Sequence, residues 1–117
     1  MAGTAPQRDD MQNLTPAALK AWLDDASRPT PVLLDVREPW EHAICALPGA
    51  IALPLNEVPA RVAALDPAAD TVMICHHGAR SFQAGMFLER GGFGRVYNLL
   101  GGIDAWAREV DPTMAVY

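Results

Sequence analysis

Cys75 opens a short run, Cys75-His76-His77-Gly78-Ala79-Arg80-Ser81, in which nearly every residue can do chemistry. The thiolate form of cysteine is the nucleophile, so what matters is whatever lies nearby to favour it. Val72, Met73 and Ile74 precede the run and read as a strand covered on both faces. Ser81 is of N-cap type, and Phe82, Met86 and Phe87 recur at helical spacing, predicting a helix over 81–90. Cys75 therefore falls where a strand ends and a helix begins. Backbone N–H groups converge at such a point and form a cradle for an anion. The predicted chemistry is nucleophilic catalysis by a readily ionised cysteine. A Cys-x4-Arg spacing makes a ring of amides with room for one extra atom on the sulfur.

The neighbours divide into donors and braces. His76 and His77 could ligate a metal, but adjacent histidines rarely converge on one ion and no third ligand is evident in the sequence. Their backbone amides are expected to line the cradle while the rings face its mouth, where protonation near the unperturbed pKa of about 6.5 would attract an anion. Gly78 suits a backbone position with positive φ. Arg80 is expected to fold back on a carboxylate, Asp35 or Glu41, and hold the loop with forked donors. Arg37 is expected either to border the pocket or to pair with Glu38 or Glu41. Asp35, at a strand end, reads as a brace more than as a catalytic acid. Cys45 lies among Ile44, Ala46 and Leu47 with no basic residue beside it, which predicts a packed, inert thiol. Trp40 and Trp106 read as core or rim aromatics, and Gly101-Gly102 as a tight turn beside the loop.

These residues need a scaffold. Thr15-Pro16 predicts an N-cap and first helical residue, with a helix to about Asp25. Strands are expected at 32–35, 51–53, 71–75 and 96–99. Helices are expected at 39–44, 56–65 (capped by Asn56), 81–90 (stopped at Gly91-Gly92) and 103–108. Strands alternating with helices imply an α/β domain, a central parallel sheet with helices on both faces. Such sheets bind ligands at the carboxyl ends of their strands, where Asp35–Arg37, Cys75 and Asn98–Gly102 would all gather. Residues 1–10 are polar and predicted flexible, leaving 11–117 as the domain.

With 117 residues, the chain supports one core. Its net charge of −5 and single lysine leave no footprint for nucleic acid or an anionic membrane. No apolar run approaches a membrane span, and the first residues lack the apolar stretch of a secretory signal. Cys45 and Cys75 form neither a disulfide framework nor a zinc motif. A reducing cytoplasm is the expected setting.

Three segments resemble one family in order. The Cys75–Ser81 loop closely resembles the active-site loop of the rhodanese-family sulfurtransferases. Leu33-Leu34-Asp35-Val36-Arg37-Glu38, followed by Leu47-Pro48-Gly49-Ala50, resembles the segments that precede that loop in the family. Asn98-Leu99-Leu100-Gly101-Gly102-Ile103-Asp104-Ala105-Trp106 resembles its Gly-Gly-x-x-x-Trp signature. Where the family usually has Gly-His before Ile-Pro-Gly-Ala, this chain has Cys45-Ala46. The resemblance implies a single rhodanese-like domain that moves a sulfane sulfur through a persulfide on Cys75. Residues 76–80 would form the substrate loop, supported by Asp35, Arg37 and Ser81. It implies no metal or organic cofactor, and as partners small sulfur donors and acceptors or a sulfur-accepting protein. Two alternatives stand beside it. One is a non-catalytic sulfur-carrier or protein-binding module of this type. The other is a cysteine phosphatase or arsenate reductase of the same broad fold, whose loop is one residue longer.

Overall fold

The computed structural model describes residues 11–117; the predicted flexible segment at 1–10 lies outside them. The elements alternate as expected. They are β1 (Gln12–Leu14), α1 (Pro16–Asp24), β2 (Val32–Asp35), α2 (Pro39–Ile44), β3 (Ile51–Ala52), α3 (Val58–Arg61), β4 (Thr71–Ile74), α4 (Ala79–Arg90), β5 (Val96–Leu99) and α5 (Gly102–Glu109). The five strands form one sheet in the order β1-β5-β4-β2-β3, and every pairing is parallel. No helix among the described residues is long and apolar enough to cross a membrane.

The strand period of two sorts side chains to two cores. Leu33, Val72 and Ile74 point to one face and pack with Leu19 and Trp22 of α1 and Ile103 and Trp106 of α5. Leu34, Met73 and Cys75 point to the other and pack with Val58 of α3 and Ala84 and Leu88 of α4. This alternation puts the Cys75 side chain on the α4 side of the sheet.

Several expectations need correction. β1 was not foreseen: it is a three-residue edge strand with one apolar residue, too short to carry a period. The helix expected over 56–65 is a 3-10 turn, the four-residue α3 and a second 3-10 turn. The i to i−3 closures at its two ends, Glu57 N–H to the Pro54 carbonyl at 2.8 Å and Leu65 N–H to the Val62 carbonyl at 3.0 Å, take the place of α-helical bonds. Asn56 lies inside the first of these turns and caps nothing. Helix α4 starts at Ala79, with Gly78 as N-cap at φ +111°, so Ser81 sits within its first turn. The buried face of α4 is Ser81, Ala84, Gly85 and Leu88, while Phe82 and Phe87 stay half-exposed. Thr15 does cap α1, accepting from the Ala18 N–H at 3.1 Å, with Pro16 next.

Candidate active site

Cys75 follows β4 directly and is 1% exposed. Two donors reach its sulfur: the Gly78 N–H at 3.0 Å and the Ser81 hydroxyl at 3.2 Å. Both belong to the start of α4, where the helix dipole favours negative charge. Positive φ at Gly78 lets the chain turn from loop into helix at that point.

The other side of the loop is tied to α5. Ile103 N–H donates to the Cys75 carbonyl at 2.8 Å, and Asp104 N–H to the His76 carbonyl at 3.1 Å. A trans peptide points its N–H opposite to its C=O. Fixing these two carbonyls on α5 therefore turns the His76 and His77 amides away from that helix. Gly102 permits the approach: a Cβ there would collide with the His76 and Cys75 carbonyls, and its φ is +64°.

Ser81 is fully buried and bridges two groups. Its oxygen is 2.5 Å from Asn98 Oδ1 as well as 3.2 Å from Cys75 Sγ. Asn98 Nδ2 donates to the Gly78 carbonyl at 3.2 Å, which leaves Oδ1 as the acceptor facing Ser81. A hydroxyl has one proton to give. With that proton on Asn98, Ser81 can only accept from a Cys75 thiol; with a thiolate, it can rotate and donate to the sulfur. In the sequence Asn98 stands only as the first residue of the motif that runs to Trp106. The signal for its role was a polar residue inside a buried strand.

Arg80 lies in the first turn of α4 and makes a forked pair with Glu41, Nη1 to Oε1 at 2.6 Å and Nη2 to Oε2 at 2.8 Å. Of the two carboxylates expected to meet it, Glu41 does. Pro39 starts α2, and Glu41 reaches back to accept the Glu38 N–H at 3.0 Å, which fixes its position. Tyr117 completes the set by donating to Oε2 at 2.8 Å. All four acceptor directions of this carboxylate are used. The Arg80 bond, more than any other contact, holds the Glu41 carboxyl down to about 2. Glu41 in turn raises the Arg80 guanidinium further above its ordinary value.

Arg37 corrects the expectation twice. It does not border the pocket, because its side chain is fully buried, and its carboxylate partner is Asp35, at 2.6 Å, not Glu38 or Glu41. Its remaining donors go to the Glu41 carbonyl, the Tyr117 hydroxyl and the Cys45 carbonyl. Burial opposes its charge, but the bonds to Asp35 and Tyr117 outweigh it and raise the pKa overall. Asp35 also lies 3.1 Å from His42 Nδ1 and is itself buried, which makes it a brace. Cys45 has a basic neighbour after all, with Arg37 Nη1 at 3.9 Å from its sulfur.

Tyr117, invisible to sequence reasoning, joins these pieces. Its hydroxyl accepts from Arg37 and donates to Glu41, and its ring stacks on His76 at 4.0 Å. Burial chiefly pushes its hydroxyl up to about 12. His76 is half-buried between Tyr117 and His77, whereas His77 is exposed. Trp40, 61% exposed, meets Tyr117 edge-on and so is a rim residue; Trp106 is core. Beside Arg80 lies a cavity of about 480 Å³ lined by Leu55, Val58, Pro59 and Phe87 among others. The third metal-capable side chain missing from the sequence reading is present: Asp104 stands beside His76 and His77.

Comparison with known proteins agrees with this geometry. The family model described as a rhodanese-like domain matches residues 15–109. A sulfurtransferase of Allochromatium vinosum is 44% identical over 84 residues, covering 72% of this chain and 78% of that protein. A rhodanese-like/PpiC domain-containing protein of Arabidopsis thaliana is 42% identical over 89 residues, but the chain spans only 30% of its length. Among solved structures, a rhodanese-like domain protein from Staphylococcus aureus superposes with a TM-score of 0.78 at 26% identity, covering 92% of this chain and 99% of that one.

Proposed function

The chain belongs to the rhodanese-like domain family, and from that membership we propose that it is a sulfurtransferase working through a persulfide on Cys75. Sulfur transfer in general is the reading its relatives support. The observation that carries the finer proposal is the Gly78 N–H, 3.0 Å from Sγ at the start of α4.

The cycle is ping-pong. The Cys75 thiolate attacks the sulfane sulfur of a donor such as thiosulfate. A sulfur–sulfur bond forms on Cys75, the donor's own sulfur–sulfur bond breaks, and sulfite leaves with the electron pair. An acceptor such as cyanide or a thiolate then attacks the outer sulfur, and the bonding pair returns to Cys75. Amides of residues 76–78 stabilise the charge on sulfur without having to reorganise, and the Ser81 hydroxyl adds to them by turning its proton from Asn98 to the sulfur. Arg80 holds the loop through Glu41, and Asp35 with Arg37 braces the floor beneath it. A reducing compartment, for which we propose the cytoplasm, keeps the thiol available. The Cys-x4-Arg ring argues against a phosphatase, because three phosphoryl oxygens need a wider cradle.

The donor preference follows from where the permanent charges go. Arg37 and Arg80 are both committed to carboxylates. Doubly charged thiosulfate should therefore be a poor donor, with a KM above about 1 mM. The persulfide itself is tested by intact mass after treatment with thiosulfate or a low-molecular-weight persulfide. Wild type and Cys45→Ala should gain one reducible sulfur and Cys75→Ala none. An adduct that survives in Cys75→Ala and vanishes in Cys45→Ala would overturn the assignment.

A further inference from the structure

We propose that His76, His77 and Asp104 form a binding site for a divalent cation of zinc type at the mouth of the Cys75 loop. The histidines come from the loop and the carboxylate from the first turn of α5. The Asp104 N–H bond to the His76 carbonyl pins these two segments together. Each side chain offers one donor atom, and the three atoms lie within 4.8 Å of one another. His77 Nε2 is already 3.9 Å from Asp104 Oδ2. Two imidazoles and a carboxylate are a set that zinc accepts, leaving a fourth position open.

A second observation points the same way. His76 Nε2 is the one buried side-chain nitrogen or oxygen among the described residues with no hydrogen-bond partner. The buried polar groups around it, from Asp35 and Arg37 to Ser81 and Asn98, all have theirs. Leaving such an atom unpaired is costly, and coordination through it supplies what it lacks. Zinc–nitrogen bonds near 2.0–2.1 Å require tetrahedral donors about 3.4 Å apart. Most of that closure falls to His77, whose side chain is 67% exposed and free to turn. His76 is held by its stack on Tyr117, and Asp104 by Arg108 Nε at 3.0 Å on Oδ2. A carboxylate retains further lone pairs when one is so used. The ion adds a permanent positive charge at the mouth, where both nearby arginines are already paired. Its effect on an anionic donor rests on the sulfur-transfer reading; the binding does not.

The test is calorimetric titration of the full chain with zinc chloride, made in the Cys75→Ser background so that the thiolate cannot compete. One equivalent should bind. Adding His77→Ala or Asp104→Asn should weaken binding by more than about tenfold, or 1.4 kcal/mol, with unchanged melting curves. Cobalt in place of zinc should give visible ligand-field bands without a sulfur-to-metal charge-transfer band. Three results would overturn the site: no binding in Cys75→Ser, binding insensitive to both added substitutions, or a charge-transfer band marking sulfur as a ligand. None of these readouts involves turnover, so loss of the sulfurtransferase reading would leave them standing.

Discussion

Glu41 has no role in the proposed chemistry, yet four hydrogen bonds converge on it, and its partner Arg80 lies in the first turn of α4. Lysine at position 80 keeps the charge but loses the planar fork. Arg80→Lys should slow sulfur transfer about 10- to 100-fold through loop misplacement, measured as single-turnover loss of the persulfide to a thiol. The pair also has a pH signature. The folded-state pKa of Glu41, about 2, is below its ordinary value of 4.5. Its stabilisation is thus complete above about pH 5 and fades as pH falls towards 2. Because the Arg80 side chain is 34% exposed, the contribution is discounted to about 1–2 kcal/mol. Urea midpoints of Glu41→Gln and wild type should differ at pH 7 and converge near pH 2. Ser81 is a different case, being wholly internal. Ser81→Ala leaves both Asn98 Oδ1 and Cys75 Sγ short of a partner, and should cost about 1–3 kcal/mol in a chemical melt.

Among the elements, α5 meets the Cys75 loop backbone to backbone with no slack. Gly102 combines positive φ with a carbonyl wall, whereas Gly49, at φ +82°, has nothing within 4 Å of where a Cβ would sit. Gly49→Ala should therefore cost only the left-handed strain, about 1–2 kcal/mol. Gly102→Ala adds the collision and should exceed about 3 kcal/mol, or displace the loop and abolish transfer. Thermal melts of the two variants side by side check the contrast. This contact was partly legible, since Gly101-Gly102 read as a turn beside the loop, but its closeness was not. Strands 32–35 and 96–99 and helix 39–44 could be read at their true bounds because apolar runs and proline mark them. β1 could not, because an edge strand of three residues owes its existence to β5, 82 or more positions further along the chain. The start of α4 was misplaced because serine is a good cap in general, while here the bend at Gly78 comes first and Ser81 is drawn inward to Asn98.

The whole molecule gathers residues 35, 41, 75, 98, 104 and 117 at the carboxyl end of one parallel sheet. Sequence reasoning found those that stand in local motifs, Cys75 and Arg80 above all. It missed Tyr117, which bonds Glu41 from 76 residues away and Arg37 from 80, because nothing in a linear pattern signals so distant a partner. It misjudged Arg37 for the converse reason: a charged residue beside a predicted pocket looks available, and only the fold reveals that it is fully buried. Cys75 itself is just as deeply recessed, at 1% exposure. In the proposed persulfide a sulfur–sulfur bond of about 2.05 Å would bring the outer atom, within its ring of amides, nearer the mouth of that recess. Reach would then separate the two forms as well as reactivity. A bulky maleimide should discriminate between loaded and unloaded protein far more sharply than iodoacetamide, as competition labelling would show. In the proposed cycle the recess would act as a size filter: the empty state would stay hidden from the thiols and disulfides of other macromolecules, and loading a single atom would make the protein visible to them.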